Sequence, residues 1–460
     1  MIEGARAFVF APGVLDAHAS SITFRYRVEM LDGSEEIYTD TLQFPSVTAG
    51  RWKDVPEDIV RRFCENLSLA CGVSFWRIHC ADDIKLEGFS ITPVQAAFWK
   101  EVYEKGLAEY FYKSKIDFRG RIRFPADAVS APPLVVRRRT DRALVMQGGG
   151  KDSVVTAETL KSHDVPFSIL MIGRTRMQDR VSEAIGNPII RVLHQRNPIL
   201  MRLHTEGKIR SGIPLTTIQM FIAVFVGVLL DYRYAIFSNE HGADVANLEY
   251  LGMPVNHQWS KSTESELLVR KYISEFLTAD VTPFSLIHQY TELFMVREFA
   301  KHERYFKLFS SCNRNFYIPY EKPGVSEEGR AYWCNACPKC AFIFAGLSAF
   351  LPKASVLDIF GKNLYADEAL LPTFKMLLGH EGFKPFECVG TPEEMKVAMM
   401  LAHKRGEYDA DPAMSWYISH GDVTEATLKS VTEPIFSTHG NGTIPQDFDE
   451  AFLHGRLFGR

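Results

Sequence analysis

Three clusters of residues carry side chains at spacings that do chemistry. The first is Gln147-Gly148-Gly149-Gly150-Lys151-Asp152-Ser153. Consecutive glycines let a backbone approach a phosphate closely, and a helix starting near the lysine adds unpaired N–H groups and a favourable dipole. The run therefore reads as an anion cradle, with Gly148, Gly149, Gly150 and Ser153 on phosphate and Lys151 neutralising charge. It is not a Walker A sequence, because Asp152 follows the lysine where Ser or Thr is required and Val145 stands where the first glycine belongs. The second cluster is Ser238-Asn239-Glu240-His241-Gly242-Ala243-Asp244, followed by Val255-Asn256-His257-Gln258-Trp259-Ser260-Lys261-Ser262. Ser238, Asn239 and Glu240 follow an apolar strand, at the end where open parallel sheets hold ligands. His257 and Lys261 are candidate proton carriers, if their pKa values are tuned toward neutrality. The third is Cys334-Asn335-Ala336-Cys337-Pro338-Lys339-Cys340, with Cys312 upstream. Two C-x-x-C steps put three thiolates on one knuckle, and a distant fourth closes a tetrahedral zinc site. An iron–sulfur cluster is the alternative for such a set, and the lack of a second cluster motif favours zinc. Cys64, Cys71, Cys80 and Cys388 read as core residues.

These clusters need a scaffold, and the surrounding sequence supplies a parallel-sheet grammar. Ala143 to Met146 is a short apolar strand leading into the glycine run, a helix follows from Asp152 to Ser162, and Phe167 to Ile172 is a second strand. Such βαβ order implies a parallel sheet covered by helices. A helix from about Leu215 to Leu230 then feeds a strand, Tyr234 to Phe237, that ends at Ser238. Arg174 and Arg176 follow the second strand, within reach of a phosphate or a carboxylate. Upstream, Thr23 to Met30 alternates as a half-buried strand, Asp32-Gly33 turns the chain, and Glu36 to Phe44 runs back. Ile59, Phe63, Leu67 and Cys71 have helical spacing that Gly72 closes as a C-cap, and Thr92-Pro93 opens an amphipathic helix through Tyr112. Pro132-Pro133 and the Arg137 to Arg139 run mark a solvated linker. Beyond Cys340 the pattern is mainly helical, with an N-cap, an N1 proline and a capping-box glutamate at Thr391-Pro392-Glu393-Glu394. The expected organisation is an α+β domain over 1–135, an α/β domain with the cysteine cluster over 136–345, and a mostly helical region over 346–460.

Composition sets the limits. The chain has 460 residues, 46% hydrophobic and 12% aromatic, with 8 cysteines and a formal charge of −4. Disorder and a disulfide scaffold are excluded on those figures. The slight negative charge and the lack of a long basic stripe argue against nucleic acid as a partner. The longest apolar runs, Met220 to Leu230 and Ala341 to Leu351, fall well short of the roughly 20 residues that span a bilayer. A cytoplasmic protein without membrane segments is expected.

Gly148 to Ser153 resembles the PP-loop of the ATP pyrophosphatases, usually Ser-Gly-Gly-x-Asp-Ser, with Gly148 in place of the first serine. The departure removes one hydroxyl donor, while Gly149, Gly150, Asp152 and Ser153 match. That resemblance implies an adenine-nucleotide-binding α/β sheet and cleavage of ATP between its α- and β-phosphates. It makes Gly148, Gly149, Gly150, Lys151, Ser153, Arg174, Ser238 and Asn239 the expected ATP-binding residues, and gives Asp152 a place beside magnesium. It also lends structural zinc to Cys312, Cys334, Cys337 and Cys340. With the second cluster and the aromatic-rich N-terminal part, the chain is similar over most of its length to the UDP-N-acetylmuramoyl-L-alanyl-L-glutamate epimerases of bacterial cell-wall synthesis. This implies ATP- and magnesium-dependent inversion of the terminal L-glutamate of a UDP-MurNAc dipeptide, with Asp152, Glu240, His257 and Lys261 as the expected catalytic residues. The rival is another adenylating PP-loop enzyme of the tRNA-thiolating or 7-cyano-7-deazaguanine-forming type.

Overall fold

A computed structural model describes residues 4–129, 140–209, 211–312, 333–420, 425–440 and 442–458. The expected 135/136 boundary, Pro132-Pro133 and the Arg137–Arg139 run lie outside the described residues. Among the described residues the strands are, in chain order, β1 (Ala5–Phe10), β2 (Val14–Asp16), β3 (Ser21–Met30), β4 (Glu35–Gln43), β5 (Asp83–Leu86), β6 (Ala143–Met146), β7 (Phe167–Ile172), β8 (Ile189–Gln195), β9 (Tyr234–Phe237), β10 (Leu248–Tyr250), β11 (Met253–Val255) and β12 (Thr282–Ser285). The helices that matter here are α1 (Glu57–His79), α2 (Pro93–Gly106), α3 (Ala108–Ser114), α4 (Lys151–Ser162), α5 (Arg176–Ile185), α6 (Pro198–Thr205), α7 (Leu215–Leu230), α8 (Thr263–Phe276) and α9 (Glu292–Phe299). The chain is α/β, as the sequence implies.

One sheet runs in the order β12-β9-β6-β7-β8-β4-β3-β1-β5, with β2 paired to β3. From β12 to β8 every pairing is parallel. Each crossover passes through helices on a face of the sheet, as parallel strands demand. The two central strands, β6 and β9, are buried at every position and made of apolar and aromatic residues because both faces are covered. Their alternation sorts side chains into two cores. Leu144, Leu170 and Ala235 face one with α1 and α7, and Val145, Ile169 and Ile236 face the other with α4, α9 and the helix Pro338–Phe350. Helix α7 is apolar all round and buried along nearly its whole length, which a helix sandwiched between α1 and the sheet permits.

The N-terminal strands join the same sheet. β4 pairs antiparallel with β8, with Thr41 opposite Gln195 and Gln43 opposite Leu193. Neither β8 nor α5 was legible in the sequence, and β8 is the strand that connects the two halves. Two expectations are corrected. Gly72 does not end α1, which runs on to His79 and stops at Cys80 in the left-handed region. A Cβ on Gly72 would lie 2.3 Å from Phe10 Cε1 and 2.8 Å from Tyr26 Cε1, so the glycine lets the helix lie close on β1 and β3. The helix expected from Thr92 through Tyr112 starts as read, with a Thr92–Gln95 capping box that was not among the sequence expectations, and breaks at Leu107 into α2 and α3. The chain after Cys340 is helical, and Thr391 caps Pro392–Lys404 with Glu394 closing the box. Among the described residues no helix is long and apolar enough to cross a membrane.

Candidate active site

Within the parallel half the strands lie in the order third, second, first, fourth, fifth, so the direction of travel across the sheet reverses between β6 and β9. Connections leaving the two strands diverge there and open a crevice at their carboxyl ends, where α/β sheets bind ligands. The cleft at that point is lined by the glycine loop after β6, by Ser238, Asn239 and Glu240 after β9, and by Lys261, Glu292, Lys339 and Cys388.

The glycine loop is built around Gln147. Its side-chain oxygen accepts the Gly149 N–H at 2.7 Å and the Ser153 hydroxyl, its carbonyl accepts Gln178 Nε2 at 3.1 Å, and its own Nε2 is buried with no partner among the described residues. Gly149 has φ +85°, and a Cβ there would sit 2.9 Å from Met177 Cγ and 3.2 Å from the Gln178 nitrogen. Only glycine fits. Nothing crowds a Cβ at Gly148, so that glycine reflects no lack of room. Gly150 is the N-cap of α4 and supplies no side-chain acceptor. The first-turn N–H groups of α4 therefore lack the cap that would use one of them, and they open on the cleft with the positive end of the helix dipole. Ser238 Oγ and Gln258 Nε2, also at the cleft, are likewise buried with no partner among the described residues. This donor set suits a phosphate chain.

Charge below the loop is organised by Glu292, at the start of α9. Its Oε1 is 2.9 Å from Lys151 Nζ and 2.7 Å from Lys339 Nζ, and all three side chains are buried. Lys151 also pairs with Asp152. Burial works against the Glu292 carboxylate, but the two ammonium groups hold it below its ordinary range. Glu240 differs. Burial, with Glu292, Glu394 and Asp152 around it, pushes its carboxyl well above the ordinary carboxylate range. Its carboxyl also accepts the Gly242 N–H, as the cap of the 3-10 turn His241–Asp244.

At the other wall, Cys388 Sγ lies 3.4 Å from Lys261 Nζ. His257 hydrogen-bonds to the same thiol and, through Nδ1 at 2.6 Å, to Glu109 of α3. Burial would raise the Cys388 pKa, but Lys261 and His257 bring it down to about 6. Burial would lower that of His257, and its bonds to Cys388 and Glu109 raise it to about 9 instead. Lys261 is raised chiefly by Cys388. The tuning toward neutrality expected of His257 and Lys261 thus runs the other way, because each faces an anion, and both are cations near pH 7. Asn247 sets the geometry. Its Nδ2 donates to the carbonyls of Lys384 and Pro385 at 3.0 and 2.9 Å, and its Oδ1 accepts the His257 N–H at 2.9 Å, so one side chain ties the Cys388 loop to the His257 backbone.

The cysteine knuckle adjoins the loop. The sulfur atoms of Cys312, Cys334, Cys337 and Cys340 all lie within 4.8 Å of one another. Cys340 Sγ is 3.7 Å from Cys334 Sγ and 3.5 Å from Cys337 Sγ. Tetrahedral zinc with Zn–S near 2.3 Å places its sulfurs about 3.8 Å apart, so the set could hold a metal such as zinc. The segment ahead of Cys312 touches the glycine loop, with the Ser310 N–H donating to the Gly149 carbonyl at 3.3 Å.

The cleft therefore gathers the expected Gly148, Gly150, Asp152, Ser153, Ser238, Asn239, Glu240 and Lys261. Arg174 is half-exposed, pairs with Asp179 at 3.5 Å and does not line the cleft. His257 stands behind Cys388. Cys64, Cys71 and Cys80 are core residues as read, but Cys388 is not, since it faces the cleft. Glu109, Glu292 and Cys388 carried no motif in the sequence. Gln147 and Lys339 sat inside motifs without a role.

Comparison with known proteins covers nearly the whole chain. Residues 2–286 match the family model described as the MurL N-terminal domain, and residues 308–429 match that of the MurL C-terminal domain. A protein of Xanthomonas oryzae pv. oryzae (strain MAFF 311018) is 34% identical over 388 residues, 84% of each chain. One of Salinispora tropica is 33% identical over 451 residues, 97% of this chain and 95% of the relative. One of Micromonospora sp. is 32% identical over 449 residues, 97% of each. All three bear the name UDP-N-acetyl-alpha-D-muramoyl-L-alanyl-L-glutamate epimerase.

Proposed function

The chain belongs to the UDP-N-acetyl-alpha-D-muramoyl-L-alanyl-L-glutamate epimerase family, and on that footing we propose that it inverts the terminal L-glutamate of UDP-MurNAc-L-Ala-L-Glu by way of an acyl-adenylate. Removing the α-proton of an ionised amino acid is difficult because the enolate would put a second negative charge on the same carboxylate. Adenylation removes the first charge. The substrate carboxylate attacks the α-phosphorus of ATP, pyrophosphate leaves, and the resulting acyl-AMP anhydride withdraws electrons from the α-carbon as a thioester does. A side-chain base can then take the proton. Reprotonation on the opposite face and hydrolysis of the anhydride give the D-glutamyl product and AMP.

The observation that supports this reading best is the meeting of the glycine loop and Ser238-Asn239-Glu240 at the strand-order reversal, with the first turn of α4 open toward the cleft. Those N–H groups, with Gln147 Nε2, would hold the phosphate chain, and Asp152 would stand beside magnesium, which would balance phosphate charge. Lys261 is the cation at the far wall for a carboxylate or phosphate. The four thiolates would take structural zinc. A PP-loop relationship accounts for this arrangement. The protein acts in peptidoglycan precursor synthesis in the cytoplasm, where nucleotide-activated sugars and ATP are at hand. The test is incubation with ATP, magnesium and UDP-MurNAc-L-Ala-L-Glu. AMP, pyrophosphate and, after acid hydrolysis, D-glutamate are expected; ADP, or L-glutamate alone, overturns the reading.

A further inference from the structure

The reaction needs a base at the α-carbon, and the residues that the sequence offers for it are unsuitable. Lys261 and His257 are both held as cations, and burial beside Glu292 and Glu394 pushes the Glu240 carboxyl well above the carboxylate range, toward holding its proton. Cys388 is different. Its sulfur lines the cleft, Lys261 Nζ stands 3.4 Å away, and His257 bonds to it while Glu109 fixes the far side of the imidazole at 2.6 Å. A thiol with a histidine behind it and a carboxylate behind the histidine is the arrangement that makes a reactive thiolate. The wall beside it can take a ligand, because Gln258 is 4% exposed and its Nε2 has no partner among the described residues.

We propose that the Cys388 thiolate is the base that removes the α-proton of the substrate's terminal glutamate. The assignment rests on the adenylating reading above and names the residue that completes it. The Cα–H bond breaks, an S–H bond forms on Cys388, and the electron pair left on Cα is taken up by the carbonyl of the acyl-adenylate. The opposite face of the enolate takes its proton from an acid that exchanges with water, for which the buried, upward-shifted carboxyl of Glu240 is the group on hand in the same cleft. The new thiol and the spent carboxylate return to their starting states by exchange with solvent.

The charges around the sulfur are arranged for that step. Lys261 faces it from the 3-10 turn Trp259–Lys261, His257 from the loop before that turn, and Lys339 from the helix Pro338–Phe350. On its own loop stands Glu387, whose carboxyl burial pushes upward. Lys261 and His257 suffice to stabilise the thiolate, and the anion of Glu109 is spent on His257. Both cations also keep the thiolate from being re-protonated by either neighbour, since each holds its own proton more tightly than a thiol near pH 6 does.

Two half-reactions separate this assignment from the reading beneath it. Substrate-dependent exchange of labelled pyrophosphate into ATP reports adenylation, and deuterium entering the glutamate α-position in heavy water reports proton removal. In Cys388→Ala and Cys388→Ser, α-deuteration should fall by roughly the 10²- to 10⁴-fold that general-base catalysis supplies, while pyrophosphate exchange persists. Deuteration within a few-fold of wild type overturns the assignment, as does loss of both exchanges together. An acyl group found on Cys388 by intact mass after acid quench also overturns it, because the thiol would then be a nucleophile. If wild type shows no pyrophosphate exchange but deuteration still depends on Cys388, the adenylating reading fails and the base assignment stands. An independent check needs no variant. Alkylation of Cys388 by iodoacetamide, followed on its peptide in the wild-type protein, should rise with a midpoint near pH 6 and slow with substrate present; an ordinary thiol midpoint above about 8 overturns the assignment.

Discussion

At the scale of single residues, the glycine loop shows how far a motif can be read. The spacing identified an anion cradle, and the strand and helix around it formed at Ala143–Met146 and Lys151–Ser162. What the motif could not reveal is which glycine is indispensable. Gly149 combines φ +85° with contacts that leave no room for a methyl group, two of them to backbone. Gly149→Ala should therefore cost about 1–3 kcal/mol of stability and abolish pyrophosphate exchange, whereas Gly148→Ala should spare stability. Thermal melts read beside the exchange assay check both. Loss of equal stability in the two variants would show that the loop is not held as described. Charge states were illegible for a plain reason. The sequence shows that His257 and Lys261 can titrate, but the direction depends on Glu109 and Cys388, which are remote in sequence and belong to no motif.

At the scale of elements, the cysteine knuckle and the active cleft share a helix. Cys337 is the N-cap of Pro338–Phe350, Cys340 lies in its first turn, and between them Lys339 reaches Glu292, which also holds Lys151. Purified protein should carry about one equivalent of zinc without a brown chromophore. Cys312→Ser or Cys340→Ser should lower metal content, lower Tm and weaken pyrophosphate exchange together. Metal analysis with a melt decides it, and iron absorbance in place of zinc would reassign the centre to an iron–sulfur cluster. Helix starts with strong caps were read well, at Thr92 and Thr391. Gly72 was misread because a helix-ending glycine and a glycine under a packed aromatic look alike until Phe10 and Tyr26 are in place. β8 escaped because its burial alternates only in part, on a strand where the parallel part of the sheet meets the antiparallel part.

At the scale of the whole molecule, the pairing of β4 with β8 makes one sheet of what reads as two kinds of sequence. The aromatic core of the N-terminal strands continues into α7, where Phe225 stacks on Phe63 at 4.6 Å and packs edge-on against Phe44 at 5.7 Å. A fragment of residues 140–458 would expose the open edge of β8 and that apolar surface. It should be recovered mainly as aggregate, and a soluble, cooperatively melting fragment would show that the halves are independent. The triad at the cleft has a consequence for how the protein comes into being. Glu109, His257 and Cys388 are drawn from the first, third and last quarters of the chain, although His257 touches both of the others. The ribosome lays down the phosphate loop long before the thiol, and domains gain structure as they emerge. A half-made chain can thus acquire the means to grip a nucleotide, while the means to move a proton arrives only near the end of translation.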